Sequence, residues 1–266
     1  MGLRLLIVFC GLVLAVAVLG PEVWIHRSDQ IFLTNRLHPP SLLHPFGTDQ
    51  FGRDVLARFL SGARLSIFFS LACVTAASSA GMILGLIAGL SGGWVDGLVA
   101  RIMDAVLAFP ALILAMGIAI AFRPGILSAG IAVVIVAVPW YARRVRGEVL
   151  SLRSRPSVEA AQVLGASRSR IIFLHIMPGL LSGVVAQASL GVGYAVLTLS
   201  ALGFLGLGVQ PPIAEWGVMI TDGRRYLLGG SWWLSIFPGI GIVVLVALAF
   251  AAGNRLSDRF GLGRVM

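Results

Sequence analysis

Few residues in this chain can do chemistry, and they fall in two places. Only 12% of the 266 residues are charged, and Lys is absent. The first place is Gly47-Thr48-Asp49 followed by Gly52-Arg53-Asp54. Glycine permits the tight turns, and Asp49 and Asp54 suit helix capping or pairing with Arg53. His26, His38 and His44 stand nearby. Their spacing matches no ligand pattern, and no Cys or acidic cluster adjoins them, so no metal is expected. The second place is Glu159-Ala160-Ala161 with Gly165, in a segment rich in Arg. A phosphate-binding loop ends in Gly-Lys-Ser/Thr, which a chain without Lys does not have. No catalytic residue and no bound cofactor are expected, and Cys10 and Cys73 read as small apolar fillers.

The elements that carry these residues follow from composition. The chain is 58% hydrophobic, with a mean hydropathy of +0.96. Soluble domains average about 25% charged residues. A soluble domain and a disordered chain are therefore both poor fits, and two Cys exclude a disulfide scaffold. No Asp, Glu, Lys or Arg occurs in 5–21, 65–95, 105–122, 124–142, 171–214 or 226–254. A membrane span needs about 20 mostly apolar residues. The expectation is an all-α integral membrane protein with about six transmembrane helices, near 3–20, 66–90, 105–122, 125–141, 180–205 and 236–253. The runs are apolar on all sides, unlike barrel strands. The first run resembles a secretory leader but is long for one, and it is read as a retained span.

Arg sets the expected orientation. Seven Arg fall between 143 and 170, which places that loop and both termini on the cytosolic side under the positive-inside rule. The basic balance then reports topology, and no nucleic-acid partner is expected. Three parts result: 1–65, the first span and an outer loop; 66–258, a core of five spans containing the loop 142–179; and 259–266, a cytosolic tail. Within 1–65, the apolar residues Phe51, Val55, Leu56, Phe59 and Leu60 predict a helix over 53–64 lying along the outer interface. Gly81, Gly85 and Gly89 share one helix face and invite a close neighbour. Trp94, Trp140, Trp232 and Trp233 read as interfacial anchors.

The inner loop reads as a docking device. Pro156 stops the fourth helix, Ser157 is placed to cap a new one, and Glu159 favours its first turn. Ala160, Ala161, Val163 and Leu164 make a compact apolar surface. Gly165 suits a left-handed ending, and Ser167 caps the next segment. Arg143, Arg144, Arg146 and Glu148 are expected in water.

These motifs resemble a known family. Glu159-Ala160-Ala161, Gly165 and Pro178 are similar to the EAA loop of bacterial ABC-importer permeases. His44-Pro45-Phe46-Gly47-Thr48-Asp49-Gln50-Phe51-Gly52-Arg53-Asp54 resembles the outer signature of the C-type subunits of the dipeptide, oligopeptide and nickel branch. So does Gly203 to Pro212 followed by Glu215-Trp216-Gly217. His175 and Met177 depart from the wider family but suit this branch. The resemblance implies a type I importer permease fold and a cytosolic coupling helix containing Glu159, Ala160, Ala161 and Gly165. It also implies four kinds of partner: a paralogous B-type permease, two cytosolic ATPase subunits that bind ATP and Mg, an extracytoplasmic substrate-binding protein, and the lipid bilayer. Short peptides are the expected cargo in the bacterial inner membrane, with nickel or a metal chelate as the alternative. A stand-alone channel or secondary carrier would need pore-lining polar rings, buried charges or an inverted repeat, and none is evident.

Overall fold

The computed structural model describes residues 3–259. The expected tail, with Arg264, lies outside the described residues from 260 on. So do the side chains of 1–7, Arg4 among them.

Helix follows helix, with no named strand among the described residues. α1 is Leu3–Val23, α2 Val55–Ser91, α3 Gly93–Leu107, α4 Ala111–Ala121 and α5 Ile126–Arg153. α6 is Pro156–Val163, α7 Arg168–Ile171, α8 Met177–Phe204, α9 Trp216–Gly223 and α10 Trp233–Arg259. A π-helical turn, Ile172–Ile176, joins α7 to α8. Pro178 has no N–H to continue the ordinary ladder, and such a residue favours a local change of helical register.

Four stretches are long and apolar enough to cross a membrane singly: α2, α5, Arg168–Phe204 and α10. Val8–Val23 is a shorter apolar helix. The run expected as a straight span over 105–122 is broken instead. α3 and α4 meet at 91°, across Ala108, Phe109 and Pro110. α3 is held against the foot of α5 by ion pairs of Asp104 with Arg143 and Asp96 with Arg146. The eleven residues of α4 then rise beside α5. They cover about 17 Å, roughly half a hydrocarbon core.

α2 and α5 form the spine, and they run parallel. The glycine stripe decides how closely they approach. A Cβ at Gly81 would lie 2.4 Å from that of Tyr141; at Gly85, 2.6 Å from the Ala142 carbonyl oxygen; at Gly89, 2.7 Å from the Val149 Cβ. Both helices thus finish at one end of the bundle, where Arg153 donates to the Gly89 carbonyl at 2.9 Å. α8 returns antiparallel to α5, with Gly191 against the Tyr141 hydroxyl and Gly183 against Glu148. α10 lies antiparallel on α8, with Gly253 against Leu190. α9 tucks between the ends of α8 and α10, its Gly217 pressed to the Ser200 backbone.

The helix expected over 53–64 forms from Val55 and leads into the second span, but as a buried part of one helix and not as an interfacial element. Those residues are the first turns of α2, which runs unbroken from Val55. No Pro or Gly cluster interrupts the pattern there, so one helical hydrogen-bond ladder continues through it. Trp233 is buried rather than interfacial, whereas Trp94 is exposed. Glu148 is half-buried, with one oxygen bonded to Arg144 at 3.0 Å. Its other oxygen is buried without a partner, where full solvation was expected.

Candidate coupling loop and outer polar knot

The loop 154–167 stands at the end where α2 and α5 finish. Pro156 takes the first helical position of α6, where its missing N–H costs nothing. The N-cap is therefore Arg155, without a side-chain bond, and Ser157 does not cap. Val158 is the anchor. It is buried among Val145, Val149, Leu152, Ile171, Ile176 and Leu180.

The opposite side of α6 is bare. Glu159 and Ala160 are exposed, Ala161 is half-buried, and Val163 and Leu164 are 88% and 85% exposed. Two large apolar side chains so open to solvent at a helix end form an apolar surface left uncovered by the described residues. The helix is closed by Gly165 at φ +81°. The N–H of Ala166 donates to Ala161 and that of Gly165 to Gln162, each at 3.0 Å. This is the paired closure that a left-handed residue makes possible. Ser167 then caps α7 by accepting from the Arg170 N–H. Glu159, Ala160, Ala161 and Gly165 are thus brought together on one short element. Sequence reading missed Val158, although it was the apolar position left over once the exposed face was assigned.

The outer motif folds into a buried polar knot at the start of α2. Gly47, Thr48, Asp49, Gly52, Arg53 and Asp54 are all buried. Gly47 and Gly52 both have φ +73°. One oxygen of Asp49 accepts the N–H groups of Phe51 and Arg53, at 2.8 and 2.9 Å. Its other oxygen takes the Arg53 guanidinium at 2.6 Å and faces that of Arg58 at 3.6 Å. Thr48 bonds the carbonyl of Asn35 and accepts from the His38 N–H. Asp54 caps α2 by accepting from Ala57 at 2.7 Å.

Arg58 carries the knot across to the distant motif. It donates to the carbonyls of Pro212 and Ser28. Three residues after Pro212, buried Glu215 caps α9 through the N–H groups of Gly217 and Val218 and accepts from Ser200 and Ser66. Burial pushes its carboxyl upward, and the backbone and hydroxyl donors pull it back. This buried carboxylate was not singled out from sequence. The arrangement buries the charged groups of Asp49, Arg53, Asp54, Arg58 and Glu215.

The fold also corrects the reading of the histidines. His38 is exposed, but His26 and His44 meet with ring centroids 4.8 Å apart. A carboxylate does adjoin them, since Asp54 bonds His44 at 2.7 Å.

Residues 81–261 match the family described as binding-protein-dependent transport system inner membrane component. The chain is 43% identical over 243 residues to a dipeptide transport system permease protein, DppC, of Alkalihalophilus pseudofirmus, covering 91% of this chain and 80% of that one. It is also 43% identical to the probable D,D-dipeptide transport permease DdpC of Escherichia coli K12, over 90% and 80% of the two chains. It is 35% identical to the glutathione transport permease GsiD of Pectobacterium atrosepticum, over 94% and 83%. Among solved structures, an inward-facing MetNI methionine ABC transporter shares the fold. Its TM-score is 0.55 and its identity 21%, over 73% of this chain and 94% of that one.

Proposed function

Since this chain belongs to the family of binding-protein-dependent transport system inner membrane components, we propose that it is the C-type permease subunit of an ATP-driven importer of short peptides. The names of relatives at 43% identity over nine-tenths of the chain support the peptide cargo. The observation that carries the coupling role is the anchored but bare helix α6. Val158 ties it to the bundle, while Val163 and Leu164 lie open.

In this reading two cytosolic ATPase subunits hold ATP and Mg, and one of them receives α6. Closure of the ATPase pair carries α6 and the buried Val158 cluster with it. Because Val145, Val149 and Leu180 belong to that cluster, the displacement reaches α5 and α8 directly. Packed helices respond by discrete rearrangement rather than by continuous bending. A paralogous B-type permease completes the passage, and an extracytoplasmic binding protein delivers the peptide. The protein then sits in the bacterial inner membrane with both termini cytosolic.

The test is purification in mild detergent followed by reconstitution. ATPase and paralogous permease should co-elute, and proteoliposomes should take up a labelled dipeptide only with ATP and the binding protein. A clean homo-oligomer, or uptake without an ATPase, sinks the reading.

A further inference from the structure

We propose that His26 and His44, backed by Asp54, form a binding site for one divalent transition-metal ion of the zinc class at the outer end of the bundle. Three stretches of sequence supply the groups: the segment after α1, the turn before the GTD motif, and the cap of α2. One ring nitrogen of each histidine and one carboxylate oxygen of Asp54 lie within 4.8 Å of one another.

The hydrogen bonds fix the role of each group. One oxygen of Asp54 takes the Ala57 N–H and the Trp24 indole N–H, and the other faces His44 Nδ1 at 2.7 Å. An ionised carboxylate only accepts, so Nδ1 carries the proton. In a neutral ring Nε2 is then left with its lone pair. A carboxylate behind an imidazole is the arrangement that orients a metal-bound histidine and raises its basicity. His26 makes ring contacts only, with Trp24 at 6.1 Å and His44 at 4.8 Å, and no hydrogen bond among the described residues.

The spacing suits a shared ion. A Zn–N bond of about 2.0–2.1 Å puts two imidazole centroids roughly 5 Å apart across a tetrahedral angle, and the rings stand at 4.8 Å. Imidazole ligands select zinc, copper or nickel over calcium or magnesium, which need oxygen cages. Access exists, because His26 and Trp24 line an open cavity of about 1070 Å³. Water from that cavity would complete the coordination, so the site is open and exchangeable. An ion there joins the segment after α1 to the knot at the head of α2.

The experiment uses the transporter complex in nanodiscs, stripped with chelator and titrated with Zn²⁺ by calorimetry and with Co²⁺ by visible absorption. One ion per copy of this chain is expected, with Co²⁺ bands of four-coordinate intensity. His26→Ala should weaken binding at least about tenfold, and His38→Ala should leave it unchanged. His26→Cys should restore binding and add a sulfur-to-cobalt charge-transfer band, a signature that a structural role would not produce. His26 makes no hydrogen bond among the described residues, so these variants are expected to keep the fold. Absence of a stoichiometric ion in the parent complex, or the same affinity after His26→Ala, overturns the proposal.

Discussion

The indole N–H of Trp233 donates to the carbonyl of Thr48 at 3.1 Å, across 185 positions of sequence. This bond closes the bundle at its motif end, joining the head of α10 to the knot before α2. Gly47 makes room for it: a Cβ there would lie 2.7 Å from the indole nitrogen. Trp233→Phe keeps the ring and removes the donor, leaving a carbonyl of a fully buried residue unpaired. A loss of about 1–3 kcal/mol is expected, read as a lower Tm in detergent. An unchanged Tm would show that the contact contributes nothing.

Two aspartates face the same arginines and should behave oppositely. Asp49 is buried and paired with Arg53 and Arg58. Asp49→Asn removes the ion-pair partner of both guanidiniums among the described residues and should cost about 3–5 kcal/mol. Asp222 is half-buried and in no ion pair among the described residues. Burial raises its carboxyl above the ordinary value, and Arg58 and Arg53 pull it back only in part. Its ionised form is thus disfavoured by folding, so Asp222→Asn should be neutral or stabilising at pH 7. The sign with pH follows. The folded protein takes up this proton first as pH falls, and the variant's advantage shrinks to nothing by the ordinary carboxyl value of about 3.8. Chemical denaturation of both variants between pH 4 and 7 tests the pair, and an advantage that grows on acidification would contradict it.

Gly85→Val should separate α2 from α5. The added Cβ meets the Ala142 carbonyl and the Val145 side chain at 2.6 and 2.7 Å. Overpacking of this kind costs about 1–3 kcal/mol. Gly147, on the exposed face of α5, meets nothing within 4 Å. Gly147→Ala should therefore stabilise by about 0.5–1 kcal/mol. Thermal unfolding of the two variants side by side distinguishes packing from general glycine effects.

Gly165→Val tests the coupling loop without disturbing the bundle. No atom lies within 4 Å of its added Cβ, so the strain comes from φ +81° alone. It amounts to about 1–2 kcal/mol. Assembly should survive while ATP-driven uptake falls. Asn, which tolerates the left-handed region, should keep more uptake than Val. Equal uptake in both variants would remove the closure of α6 from the mechanism.

The local parts of both regions were legible in the sequence because short-range sterics and hydrogen bonding decide them. Asp54 caps α2, Ser167 caps α7, Asp49 pairs with Arg53, and Gly165 ends α6 in the left-handed region. The glycine stripe announced a close helix contact, though not that α5 would fill it. Local rules also misled where two choices were equally allowed. Pro156 started α6 instead of leaving the cap to Ser157, and 53–64 was buried as part of α2 instead of lying along the interface.

By itself, the sequence determined that this protein lives in a bilayer and is made of helices, because long uncharged runs that are apolar on all sides suit membrane helices and not alternating barrel strands. It also determined which short segments cap, turn and close. Only the tertiary structure decided what meets across those helices. It put Trp233 on Thr48, Arg58 on Pro212, Val158 among α5 and α8 residues, and His26 beside His44 and Asp54. These pairings depend on which helices pack together and on the direction in which each runs. Packing of whole elements sets both, and the order of residues within one element carries no record of them.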